Sequence, residues 1–86
     1  MKSVTTRRFR DAYASLPDDV RRQARRAWQL FREDPSHPGL QFKKVEGRNN
    51  VYSVRIGLGH RAVGLMDGSV IVWFWIGRHS DYDRLI

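Results

Sequence analysis

The sequence predicts an α+β fold in which an N-terminal αα-hairpin packs on a small antiparallel β-meander. Three observations carry this reading. Apolar residues recur at helical spacing as far as Phe31, then switch to a period of two after Gly39. Neither half can bury its apolar face alone, so helices and strands must share one core. The chain has 86 residues, 41% of them hydrophobic, which suits a single domain over residues 1–86 with one small core.

The elements follow in order. Residues 1–4 are a candidate edge strand. The first helix is expected over residues 6–15, capped by the hydroxyl of Thr5 or Thr6, with Phe9, Ala12, Tyr13 and Leu16 as its apolar stripe. Pro17 ends it and suits the start of a second helix over residues 17–33, where Asp18 and Asp19 face the positive end of the helix dipole. Val20, Ala24, Ala27, Trp28 and Phe31 share one face of that helix, and Arg21, Arg22, Arg25, Gln29 and Arg32 fall on the other. The loop Asp34-Pro35-Ser36-His37-Pro38-Gly39 stops it.

A first meander strand is expected over residues 40–45 and a turn over 47–50. The next strand, residues 51–56, places Tyr52, Val54 and Ile56 on one side, with Ser53 and Arg55 on the other. Gly57-Leu58-Gly59 connects it to a strand over residues 60–66, and Asp67-Gly68 marks a hairpin. Residues 70–76 are apolar on both parities, as in a strand covered on both faces. Trp28, Trp73 and Trp75 are expected in the core, with one of the last two leaving the helix side. The tail over residues 77–86 reads as a short helix or an extended arm.

Sixteen Lys and Arg face nine Asp and Glu, a net charge of +7, and thirteen of the cations are Arg. The guanidinium fork fits phosphate bidentately, so nucleic acid or an acidic protein leads as partner, against a plain solvated basic surface. The absence of Cys excludes disulfide and thiolate chemistry. No apolar run approaches the roughly 20 residues that span a bilayer. The first residues lack the apolar stretch of a signal peptide, so a cytoplasmic protein without membrane association is expected. His37, His60 and His79 lack metal-ligand spacing, and there is neither a phosphate-cradling glycine motif nor a nucleophile elbow. No metal and no cofactor is expected.

Candidate chemistry concentrates in two places. Arg55 projects from the side of its strand away from Tyr52, Val54 and Ile56, and Arg61 lies on the neighbouring strand. Two Arg on adjacent antiparallel strands can converge on one phosphate. The alternative is that each is solvated or pairs with Asp81 or Asp83. Parity does not settle Arg61, which shares a side with Val63 and Leu65. The tail packs Arg78, His79, Asp81, Tyr82, Asp83 and Arg84 closely together. Histidine titrates near neutrality, which makes His79 a proton-transfer candidate, and Tyr82 can transfer a proton or stack on a base. The alternative is a C-terminal cap in which Tyr82, Leu85 and Ile86 pack and the charges are solvated.

Four stretches, Leu40-Gln41-Phe42-Lys43, Val51-Tyr52-Ser53-Val54-Arg55-Ile56-Gly57, His60-Arg61-Ala62-Val63-Gly64 and Trp73-Phe74-Trp75-Ile76-Gly77-Arg78-His79-Ser80-Asp81-Tyr82-Asp83, together with the element order, resemble the RelE/ParE superfamily of type II toxin–antitoxin toxins. The resemblance covers essentially the whole chain, and its last stretch is the most specific. It implies either a RelE-like mRNA endoribonuclease that works without a metal, often on the ribosome, or a ParE-like toxin that poisons DNA gyrase without catalysis. A non-toxic RNA-binding domain is the third reading.

On this resemblance Arg61 falls where RelE-like toxins keep an Arg against the scissile phosphate, and Arg55 where some keep a Lys. His79 falls where members carry Arg or His after the last strand, and Tyr82 approximates their C-terminal Tyr. Ser53 stands where RelE has a second Lys. The implied reaction is attack of a ribose 2′-OH on the adjacent phosphate, with His79 or Tyr82 as base and Arg55 and Arg61 stabilising charge on the phosphate. Lys43, Lys44, Arg48 and Arg78 become RNA-binding candidates. The family also implies a cognate antitoxin, and the helix-two face of Arg21, Arg22, Arg25 and Arg32 either accepts its acidic segment or is merely solvated.

Overall fold

Thr6 starts the first helix because its extended backbone lets Oγ1 accept a hydrogen bond from the Phe9 amide at 3.1 Å. That helix, α1, spans Arg7–Ala14 in the computed structural model, which describes residues 1–85. Ile86, placed in a packed C-terminal cap on one reading of the sequence, lies outside the described residues. Pro17 occupies the cap position of α2, Asp18–Glu33, and Asp18 and Asp19 fill its first turn. Arg21 secures the corner between the helices. Its guanidinium pairs with Asp18 and donates to the carbonyls of Ala14 (3.1 Å) and Leu16 (2.6 Å), which would otherwise be orphaned at the end of α1.

Val20, Ala24 and Phe31 are the buried stripe of α2. Trp28 does not join them, contrary to expectation: it is 46% exposed, with the Arg32 guanidinium 4.8 Å from its ring centroid. Trp28 and Leu30 flank the stripe on opposite sides, and the helix is rolled so that Leu30 takes the half-buried flank. The strand expected over residues 40–45 contracts to β2, Lys43–Lys44. Leu40, 1% exposed, is drawn into the core through a 3₁₀ turn over Pro38–Leu40, and Gln41 then adopts a left-handed φ of 46° that breaks the extended run.

The remaining strands are β1 (Lys2–Thr5), β3 (Val51–Ile56), β4 (His60–Asp67) and β5 (Val70–Arg78), in the spatial order β1-β5-β4-β3-β2. From β2 to β5 the sheet is the expected antiparallel meander. The N-terminal edge strand forms too, but it pairs with β5 in parallel, which makes the five-stranded sheet mixed. β1 covers what would otherwise be an unpaired edge of the most apolar strand.

Why β5 is apolar on both parities is explained by its register. Val63 opposes Trp75 while Gly64 opposes Trp73, so Phe74 is an extra residue and the ladder shifts there. Ile71 and Trp73 face the helices, and beyond the shift Ile76 does so. Trp75 leaves for the opposite face, as one of the two Trp had to. The core joins these three residues to Val54, Ile56 and Ala62 of the sheet, Ala24 and Phe31 of α2, and Leu40. Phe31 sets its ring edge-on to Phe42 and Trp73, at 4.9 and 5.5 Å between centroids. The tail is helical: α3, His79–Leu85, packs against β4 and β5.

Gly64 sits where the register shifts, and a Cβ there would lie 2.8 Å from side-chain carbons of both Ile71 and Trp73. Gly64→Ala is therefore expected to lower the free energy of unfolding by about 1–3 kcal/mol in urea titrations. Gly59→Ala, which meets open space, should change it by less than about 0.5 kcal/mol. Equal stability of the two variants would contradict this packing.

Candidate functional site

Strand register settles the side taken by Arg61. Arg55 and Arg61 are direct partners across β3 and β4, and Arg61 is in turn the partner of Gly77 on β5. The adjacent row on the same face holds Lys43, Ser53, Val63 and Trp75. Two guanidinium-bearing residues thus oppose each other on the sheet face away from the helical hairpin. Like charges in that relation destabilise a sheet unless something offsets them.

No carboxylate offsets them among the described residues. Asp81 is taken by Arg84 and by Arg78 (3.5 Å), Asp83 by His79 Nδ1 (3.3 Å), and Asp18 by Arg21. Arg61 is only 4% exposed. Its Nη2 donates to Ser53 Oγ at 3.0 Å and to the Gln41 carbonyl at 3.4 Å, while its Nε is sealed from solvent and has no partner among the described residues. The Tyr82 ring lies over the guanidinium at 5.2 Å, and its hydroxyl donates to Ser53 Oγ at 3.3 Å. A guanidinium remains charged when buried, and two neutral acceptors and one aromatic face compensate it only in part. Arg55 is less buried, and its Nε donates to the Gly57 carbonyl at 2.8 Å.

The tail brings two more groups to this face. The backbone N–H of His79 donates to the Gly59 carbonyl at 2.8 Å, which fixes the start of α3 against the β3–β4 turn. The His79 ring is 53% exposed and lies 6.0 Å from that of Tyr82. With Asp83 holding Nδ1, Nε2 is left to engage another partner. The Arg84 hydrogen bond, aided by the charge of Arg78, holds the Asp81 carboxyl below its ordinary 3.8. Its contribution to α3 is therefore present above that ordinary value and is lost as pH falls through the lowered one.

The other candidates are dispersed. Lys43 shares the Arg61 face, whereas Lys44 pairs with Tyr52 and so belongs to the hairpin side. Arg48 lies in the loop between β2 and β3, and Arg78 ends β5 opposite His60. On α2, Arg21 is turned onto the end of α1, Arg25 donates to the Tyr13 hydroxyl at 2.8 Å, Arg32 covers Trp28 and Arg22 is exposed. Ser53 was not singled out as a working residue from the sequence, yet it is 0% exposed and accepts from both Arg61 and Tyr82. The available signal was a small polar residue sharing strand parity with Arg55.

Residues 18–84 match the ParE-like toxin domain. The chain belongs to the ParE-like toxin family. Sequence comparison with curated proteins finds no match. Solved toxins share the fold along nearly their whole length. The RelE of the RelB–RelE antitoxin–toxin complex from Methanococcus jannaschii aligns over 96% of this chain and 99% of its own, at 20% identity and a TM-score of 0.76. Isolated Escherichia coli RelE gives 99% and 98% coverage, 17% identity and 0.70. A YoeB/ParE toxin from Agrobacterium tumefaciens gives 92% and 99%, 20% and 0.71. This ParE-like toxin therefore carries Arg61, which has no carboxylate partner among the described residues, on a RelE-type α+β frame.

Ser53→Ala removes the acceptor that Arg61 and Tyr82 share, leaving the Tyr82 hydroxyl without its partner and Arg61 Nη2 with only the longer bond to the Gln41 carbonyl. The expected cost is about 1–3 kcal/mol of folding stability, read from urea denaturation. A Ser53→Ala protein as stable as the parent would show that the hydroxyl does not hold the pair.

Proposed function

We propose that this toxin is an RNA endonuclease of the RelE type and that Arg61 binds the scissile phosphate. The observation that carries the proposal is the buried, carboxylate-free guanidinium of Arg61, opposed by a second Arg and roofed by Tyr82. A structural Arg at this depth would have an acid beside it, and the nearby acids are committed elsewhere. A phosphodiester supplies the missing negative charge and matches the fork of donors.

The reaction divides among the residues of this face. The ribose 2′-oxygen attacks the adjacent phosphorus, the bond to the 5′-oxygen breaks, and the products are a 2′,3′-cyclic phosphate and a 5′-hydroxyl end. His79, oriented through Nδ1 by Asp83, takes the 2′-OH proton on Nε2. The Tyr82 hydroxyl returns a proton to the 5′-oxygen. Arg61 and Arg55 stabilise the charge that builds on the phosphate oxygens. Because Tyr82 covers Arg61, the phosphate engages only as Tyr82 shifts. That shift breaks the hydrogen bond from the Tyr82 hydroxyl to Ser53 and moves the ring off the guanidinium, and the phosphate replaces both contacts with a charged partner. Lys43, on the Arg61 face, binds the RNA backbone, with Arg78, Lys44 and Arg48 further out.

A cognate antitoxin is the second partner, as RelB is for the toxin of the Methanococcus jannaschii complex. An open apolar cavity of about 250 Å³ lies between the hairpin and the sheet, bordered by Trp28, Arg10 and Arg25. An apolar antitoxin segment with acidic flanks complements it, and Arg22, Arg25 and Arg32 are the cations placed to receive those flanks.

Expression in bacteria should arrest growth and leave cleaved mRNA with 5′-hydroxyl ends. Arg61→Ala and His79→Ala should each lower cleavage about 10²–10³-fold and relieve arrest, with circular dichroism reporting an intact fold. Undiminished toxicity of both variants with intact mRNA sinks this mechanism, and inhibited DNA supercoiling in the same cells would place the toxin with gyrase poisons.

A further inference from the structure

Trp75 is a large aromatic residue on the wrong side of the sheet for the main core. The register shift at Phe74 sends it to the face of Arg61, in the row of Ser53 and Val63. Its six-membered ring lies against Gly77, the strand partner of Arg61: a Cβ at residue 77 would stand 2.8 Å from Cζ2 and 2.9 Å from Cη2. Gly77 thus leaves room for the indole close to the sheet, at the strand position that pairs with Arg61. The Tyr82 ring is tilted by 46° to the indole, with centroids 6.4 Å apart, so the two are not stacked. Trp75 remains half-buried, on the face of Arg61, whose Nε has no partner among the described residues. A side chain needed only to fill this face would be aliphatic, like its neighbour Val63, which is fully buried there.

We propose that Trp75 is a base-stacking residue, whose indole receives an RNA base next to the phosphate held by Arg61. The inference rests on the RNA-cleaving reading above. It adds a specific ligand class, an unpaired nucleobase, and a reason for Gly77. Aromatic faces stack on any base, so Trp75 contributes affinity and positioning, and favours purines through their larger overlap. Any group larger than hydrogen at residue 77 lifts the indole off the sheet.

The test uses a short single-stranded RNA that is 2′-O-methylated throughout, and so cannot be cleaved, with 2-aminopurine at a central position. It is titrated with the full-length protein, both free and on 70S ribosomes carrying the RNA. The parent should quench the 2-aminopurine fluorescence on binding. Trp75→Leu should bind about ten- to a hundredfold more weakly and leave the fluorescence unquenched, whereas Trp75→Phe should recover affinity to within a few fold. Thermal unfolding of both variants separates loss of stacking from loss of fold, since Trp75→Phe retains a ring of similar reach. Parent-like affinity and quenching by Trp75→Leu overturn the stacking role and leave the nuclease reading intact. Failure of the parent to bind the RNA, free or on ribosomes, overturns both.

Discussion

The β4–β5 ladder and its single extra residue govern the rest of this molecule. Before the shift at Phe74, alternate residues of β5 deliver Ile71 and Trp73 to the helices; after it, Ile76 takes that side. Without the shift, strict alternation would put Trp75 in the core and Ile76 outside it. The same displacement builds the opposite face: it brings Trp75 beside Val63 and sets Gly77 across from Arg61. One irregularity therefore completes the hydrophobic core and shapes the floor of the site. Gly64 marks the place, since a side chain there would collide with Ile71 and Trp73, the core residues that precede the shift.

Arg61 gives that floor its chemistry. A chain of this size has little stability to spare, yet it buries a guanidinium without a carboxylate and sets a second Arg directly opposite. Structural needs do not ask for either feature. Ser53, the Gln41 carbonyl and the Tyr82 ring satisfy Arg61 enough for folding and leave its Nε unpaired. Local rules of sequence–structure agreement fail most often at functional sites, and here two of them fail on adjacent strands. The two acids of the tail do not relieve the strain, because Arg78, Arg84 and His79 occupy them.

Much of this was legible before the structure, for identifiable reasons. The strand over residues 51–56 alternates cleanly, so Arg55 could be assigned to the face away from Tyr52, Val54 and Ile56. The Thr6 cap and the Asp18–Asp19 turn are local chemistry and appear as expected. What stayed hidden depends on distant residues. The side taken by Arg61 required the pairing register, because Val63 and Leu65 share its parity. Trp28 and Leu30 flank the same stripe, and only packing against the sheet decides which is covered. The parallel pairing of β1 and the contraction of β2 are tertiary outcomes, the second caused by Leu40 entering the core. Arg21 reads as a surface cation on a helical wheel, although it is spent on the carbonyls of the preceding helix.

The positive charge of the chain thus has at least three separate employments. Arg21 and Arg25 tie the hairpin together, Arg78 and Arg84 hold the tail through Asp81, and Arg55 and Arg61 face each other without an acid. Net charge alone cannot distinguish these roles, because all six carry the same group. The distinction lies in what each guanidinium touches. Where an acid or an orphaned carbonyl answers the charge, folding accounts for it. Where only Ser53, a backbone carbonyl and an aromatic ring answer it, folding leaves the charge incompletely compensated, which is the ground for the phosphate-binding role proposed for Arg61. Tyr82 links the two conditions: its ring lies over Arg61 and its hydroxyl donates to the Ser53 oxygen that Arg61 also uses, so under the proposed reaction the phosphate takes the place of this ring.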